Sequence, residues 1–166
     1  MNKRLSQESL RHLLDYDRRT GKFVCLDAPN GRIVVGQVAG SLSQNGYVQI
    51  KVNGVLYKAH RLAWLWVLGK WPEKQIDHID GKRNNNRFVN LRDADRKTNT
   101  QNRKRAPRSN KSTGLLGVSR RNDGAGFQAR IYLFGKEVRL GTFATAKKAH
   151  DAYIKEKRLH HAGCTI

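Results

Sequence analysis

The longest apolar run in the chain is LAWLWVL, Leu62 to Leu68, only seven residues before a glycine. A membrane-spanning helix needs about 20 apolar residues, so no membrane partner is expected, and a core built from runs this short is small. With 38% hydrophobic residues in 166, the chain fits two or more small modules better than one large core. Strand-like and helix-like stretches alternate along it, which predicts the α+β class. Lys and Arg number 33 against 13 Asp and Glu, a formal charge of +20 spread over the whole length. Each cation that neutralises a phosphate releases a counterion, so the balance favours a polyanionic partner; a structural RNA-binding protein shares that charge. The opening MNKRLSQESLRHLL is charged throughout and lacks the apolar centre of a secretion signal. Cys25 and Cys164 lie far apart with no CxxC, so neither structural zinc nor a disulfide framework is expected, and both read as thiols in a reducing, cytoplasmic setting.

Hydrophobic spacing divides the chain into four segments. In the first, residues 1–57, Leu5 to about Tyr16 reads as a helix capped by Ser6, with Leu10, Leu13 and Leu14 on one face. GYVQIKV, the Asn53-Gly54 pair and VLYKA then form a strand, a tight turn and a return strand. The second segment, 58–105, opens on HRLAWLWVLGKWP, a buried helix closed by Gly69, and ends in a polar helix capped by Asp95. A basic linker follows at 106–113, where Pro, Ser and dense charge argue against packing. The last segment, 114–166, holds three short strands (GVSRR, FQARIYL and KEVRLGTF) and a helix from Thr145 with Ala146, Ala149 and Tyr153 on one face.

IDHIDGKRNNN, Ile76 to Asn86, places carboxylates on either side of a histidine in this basic chain. That set suits phosphodiester hydrolysis. A water attacking phosphorus must lose a proton, so a histidine beside it serves as base. Charge builds on the phosphate and the departing oxygen, so a cation belongs there. A hard divalent ion takes oxygen ligands and keeps several waters, which Asp77 and Asn99 could provide for. The plainer alternative is an Asp-His pair that only makes hydrogen bonds, with Asn84, Asn85 and Asn86 forming a turn. Neighbouring strand residues face opposite ways, so Asp77 and His78 share a site only at a strand end or a distortion.

Ala59 to Arg103, with HR before a helix, DHxDGxxxNN, NLR and then a helix bearing asparagine, resembles the HNH nucleases of the phage and homing-endonuclease type. The resemblance implies a ββα-metal (His-Me finger) core. It implies that His78 is the general base, that Asn90 fixes the loop between the two strands, and that Asp77 and Asn99 hold one Mg²⁺ or Mn²⁺. Thr98 stands where members often carry Glu, and Asp95 where a threonine often opens the helix. Asp80 reads as a turn former before Gly81, and His60 as a support for the neighbouring helix, with a phosphate contact the alternative that the resemblance implies.

Gly117-Val118, Phe127, LGTF from Leu140 to Phe143 and the alanine-rich helix ending in tyrosine resemble the plant ethylene-response-factor (apetala-type) DNA-binding domain. That implies a three-stranded antiparallel sheet on one helix, with the sheet entering the major groove. Alternation puts Gln128, Arg130 and Tyr132 outward, and Arg120, Arg121 and Arg139 on the flanking strands; arginine forks to guanine or clamps phosphates. Arg139 stands where the plant domains place a tryptophan, so base specificity does not transfer. The expectation is a metal-dependent endonuclease acting on double-stranded DNA, homing-endonuclease-like, a monomer or weak dimer that nicks one strand as a monomer. It would need no small-molecule cofactor and would work in the cytoplasm of a bacterial or phage-infected cell. The rival is a non-catalytic, sequence-specific DNA-binding protein that keeps the nuclease scaffold.

Overall fold

A computed structural model describes residues 5–27, 34–107 and 109–165. Met1 to Arg4 of the charged opening and Arg108 of the basic linker lie outside them. The chain divides into two compact units, Met1–Asp95 and Arg96–Ile166. Small antiparallel sheets and four α-helices make up the described residues. No described helix is long and apolar enough to cross a membrane.

In the first unit Ser6 caps α1 (Gln7–Leu13) by accepting the Ser9 amide, but the helix stops at Leu13. The expected continuation to Tyr16 is instead a strand. β1 (Leu14–Asp17) pairs antiparallel with β2 (Lys22–Cys25), and Leu14, Tyr16, Phe23 and Cys25 alternate into the core. The Leu10-Leu13-Leu14 spacing is helical, but at Leu14 pairing with β2 takes over from the helix. β2 also pairs β3 (Val38–Ala39). β4 (Ser41–Leu42), β5 (Val48–Val52) and β6 (Val55–Lys58) form a second sheet, with Asn53 and Gly54 turning the β5–β6 hairpin at φ of 48° and 82°. Then comes α2 (Ala59–Leu68), closed by Gly69 in the left-handed region with its N–H on the Leu65 carbonyl. Leu62, Leu65 and Ala63 are buried against Leu10, Phe23 and Ile50. Gln7 and Arg11 of α1 both donate to the Trp66 carbonyl in the last turn of α2, satisfying an oxygen that the helix leaves open. β7 (Gln75–His78) and β8 (Leu91–Ala94) complete this unit as a hairpin, joined through a 3₁₀ turn at Phe88–Asn90.

The second unit begins with α3 (Arg96–Gln101). The basic segment after it, expected as an unpacked linker, is held by its own unit. Asn110 donates to the carbonyls of Leu115 and Val118, both at 2.8 Å, and the buried ammonium of Lys157 donates to the Arg103 carbonyl at 2.5 Å. Asparagine and lysine here satisfy backbone oxygens, which composition alone does not reveal. β9 (Val118–Arg120), β10 (Phe127–Leu133) and β11 (Lys136–Phe143) form an antiparallel sheet in the order β11-β10-β9. Against it lies α4 (Ala146–His160), capped by Thr145. Ala129, Ile131, Ala149, Val118 and Tyr153 make the core. Gly117, at φ 75°, sits so close to the Tyr153 ring that an added Cβ would lie 2.0 Å from it.

Candidate active site

His78 ends β7 and is 4% exposed; Asp77 before it is 5% exposed. Burying a carboxylate and an imidazole side by side is costly unless both find partners. Across the hairpin Asp77 faces Arg92, whose Nε and Nη2 donate to Asp77 Oδ2 at 2.9 and 2.7 Å. The ring of His78 meets that of His60 edge-on at 5.0 Å, and Tyr47 lies 6.0 Å from it. His78 Nε2 is 3.3 Å from the amide oxygen of Asn86, which is itself 2% exposed. An amide oxygen only accepts, so this bond assigns the proton to Nε2 and makes Nδ1 the basic nitrogen.

The loop from Ile79 to Asn90 is tied at several points. Asn90 Oδ1 accepts the Asp80 amide at 3.0 Å; its Nδ2 donates to Asp80 Oδ1 at 3.0 Å and to the Asn85 carbonyl at 2.8 Å. Asp80 also accepts the Lys82 amide at 2.8 Å and Asn85 Nδ2 at 2.7 Å. Distant elements fix where Asn86 lies. The hydroxyl of buried Tyr16 donates to the Asn86 carbonyl at 2.6 Å, and burial pushes that phenol up to about 12. Gly21, at φ 73°, packs so tightly that a Cβ there would stand 2.4 Å from the Arg87 nitrogen and 2.5 Å from the Asn86 carbonyl carbon. That position needs glycine for both angle and space.

Burial lowers the proton affinity of His78 below its usual range, against the Asn86 bond and the carboxylates of Asp80 and Asp77, which raise it. For His60, burial first, then His78, Lys58 and Arg61, bring the value down from 6.5 to about 3. Asp80 sits below the ordinary carboxyl range: its partial burial, which works upward, is outweighed by the bonds from Asn85, Lys82 and Asn90. Two cations border the rings, with Lys58 Nζ 4.6 Å and the Arg83 guanidinium 5.0 Å from the centre of Tyr47. Arg83 also donates to the Asn45 carbonyl at 2.9 Å. A neutral, ordered imidazole, a buried carboxylate and a cationic rim are what a proton-accepting site for an anion requires.

The structure thus gathers Asp77, His78 and Asn90 in one hairpin. Asn99 stands on α3 in the second unit. Within that unit α3 packs on the C-terminal tail, where Gly163 lies so near the Thr98 carbonyl that a Cβ would be 2.3 Å away, and its amide donates to Gln101 Oε1 at 3.3 Å. On the sheet Arg130 and Tyr132 are exposed, Gln128 half-buried, and Arg120 exposed on β9. A bulge in β11 opposite Ala129 and Arg130 brings Arg139 directly across from Arg130. Arg121 is paired with Asp123.

Four residues near His78 escaped the sequence reading. Asn86 is more than a turn residue, because its amide holds the histidine. His60, expected only as a helix support or a phosphate contact, meets the His78 ring edge-on. Tyr47 and Arg92 complete the surroundings. Arg92 had a signal, since a hairpin joining Asp77 to NLR places it opposite; Asn86 had only its place in the NN pair.

Among the described residues, no three His, Cys, Asp or Glu side chains gather where a metal ion would be held. A cation with few protein ligands, keeping water or substrate oxygens, is the hard-ion pattern. Asp77 brings to this site a buried carboxylate, the oxygen donor such an ion takes, and Arg92 donates to its Oδ2. No curated protein and no solved structure matches the chain. Residues 57–101, which run from the end of β6 through α2 and the β7–β8 hairpin to the end of α3, match the family model described as HNH endonuclease.

Proposed function

We propose that the protein is a metal-dependent DNA endonuclease, homing-endonuclease-like, that cuts one strand per event at the His78 site and uses the second unit to hold duplex DNA. The observation that carries it is the buried, neutral His78, whose ring is fixed by Asn86 beside the Asp77 carboxylate, inside the segment that matches the HNH endonuclease family. In this reading Asp77 and Asn99 hold the cation, Mg²⁺ or Mn²⁺. When bound, it stabilises the charge that builds on the phosphate and the departing oxygen. His78 takes the proton of the attacking water at Nδ1 while Nε2 stays bonded to Asn86. Asn90 keeps the loop closed so that the ring does not turn away. Lys58 and Arg83 draw the phosphate backbone toward the site.

The sheet face supports DNA binding by the second unit. Like charges directly opposite on a sheet destabilise it, yet Arg130 and Arg139 face each other. Glu137 and Gln128 hold Arg130 at 3.0 and 2.6 Å, and Thr142 holds Arg139 at 2.7 Å, so both guanidiniums are ordered for an anion. Arg120, Gln128 and Tyr132 extend the same contact, and Arg121 joins them by exchanging Asp123 for phosphate.

One observation favours the rival, a DNA-binding protein that keeps the scaffold without cutting: Asp77 is already paired with Arg92. Supercoiled plasmid separates the two. Relaxation that requires Mg²⁺ and disappears on Asp77→Asn and on Asn99→Ala supports the nuclease. Tight binding by a folded wild-type protein with no cleavage in Mg²⁺ or Mn²⁺ supports the rival.

A further inference from the structure

The β10–β11 hairpin turns through Phe134 and Gly135, at φ of 49° and 84°. The same chain makes the same turn with Asn53 and Gly54, at 48° and 82°. Two residues at positive φ are the type I′ pattern, for which Asn-Gly is the preferred pair. Asparagine tolerates that region; a bulky aromatic there is an outlier. The turn therefore gains nothing from phenylalanine in backbone terms. Packing gains little either. The side chain is 85% exposed, stands outside the core of its unit, and meets the His160 ring edge-on at 6.3 Å.

The strained residue is nonetheless held firmly. The Tyr132 hydroxyl donates to the Gly135 carbonyl at 2.5 Å, closing the turn, and His161 Nε2 donates to the Tyr132 carbonyl at 3.0 Å. Strain that the surroundings maintain marks a residue kept for something outside the fold. What surrounds it is cationic: from Arg96 to Ile166 there are 17 Lys and Arg against four Asp and Glu. Arg130 and Arg139 lie on the same hairpin, and Tyr132, two residues before the tip, is 64% exposed.

We propose that Phe134 is an aromatic wedge, which seats against the bases of duplex DNA when the arginine face of the sheet engages the backbone. This rests on the DNA reading of the second unit and adds the contact that charge cannot supply. Apolar side chains pushed between base steps unstack them and kink the duplex. A second copy of the chain is the poorer occupant, because a charge of +20 opposes self-association.

The substitution that tests it is Phe134→Asn in the full chain, since asparagine suits the turn and preserves its fold. Binding to a fluorescent duplex is measured in EDTA over a salt series, with energy transfer between dyes at the two ends to report bending. We expect unchanged or higher thermal stability, about tenfold weaker binding, an unaltered salt slope because no charge is removed, and loss of the bend. Wild-type binding with a Phe134→Asn variant equal in affinity and bending overturns the wedge alone. Wild-type protein that does not bind the duplex overturns the DNA reading and the wedge with it. A wild-type dimer that the substitution makes monomeric, with affinity for DNA unchanged, assigns the ring to self-association and also overturns the proposal.

Discussion

His60 is the residue whose chemistry reaches furthest beyond its own side chain. It stays neutral down to about 3, because burial and the neighbouring His78, Lys58 and Arg61 oppose its charge. Unfolded, it would take up a proton near 6.5. Between these values the unfolded state binds the extra proton, so stability contributed by neutral His60 is complete above about 6.5 and is lost as pH falls toward about 3. Urea denaturation should show this loss at up to about 1.4 kcal/mol per pH unit, and His60→Phe, which keeps a ring against His78, should flatten the slope; an equal slope in the variant would contradict the assignment. At this scale Asp77 and His78 were visible as a candidate pair because they are adjacent in the chain. Asn86 was not. Its bond to His78 depends on a loop shape held by Tyr16, 70 residues earlier, and no local pattern announces a contact of that range.

The β1–β2 hairpin supports the site from a distance. Its turn presses Gly21 against the backbone of Asn86 and Arg87, while Tyr16 bonds the Asn86 carbonyl. Gly21→Ala should therefore move the Asn86 loop and loosen His78, with roughly 1–3 kcal/mol of strain at the positive φ and a fall in cleavage larger than that loss of stability explains. Melting and nicking measured on one preparation check it; full activity in a destabilised variant would show that the loop does not depend on this contact. The strands around Asn53-Gly54 and the C-terminal sheet were legible because alternation and turn residues agree there. Residues 14–16 were misread as helix because Leu10, Leu13 and Leu14 keep the helical spacing, and the pairing with Lys22–Cys25 that overrides it is not local.

In the whole molecule the residues assigned to one chemistry are divided between two units, since α3 with Asn99 folds with the C-terminal tail and not within Met1–Asp95. The sequence reading placed α3 in the 58–105 segment ahead of the linker, whereas Lys157, Gly163 and Thr165 bond Arg103, Gln101 and Asn102 within the second unit. Truncation after Asn110 should consequently abolish cleavage and also weaken DNA binding with a shallower salt dependence; a truncated chain that still cuts would show that α3 needs no such support. The link between tail and α3 was hidden because small residues in close packing leave no periodic trace. Removal of the proton from the attacking water by the ring that Asn86 holds is measured in single-turnover nicking of supercoiled plasmid with wild type and His78→Ala at matched DNA occupancy. The variant should nick more slowly by about 100-fold or more with DNA affinity retained; equal rates in the two proteins would rule His78 out as the base.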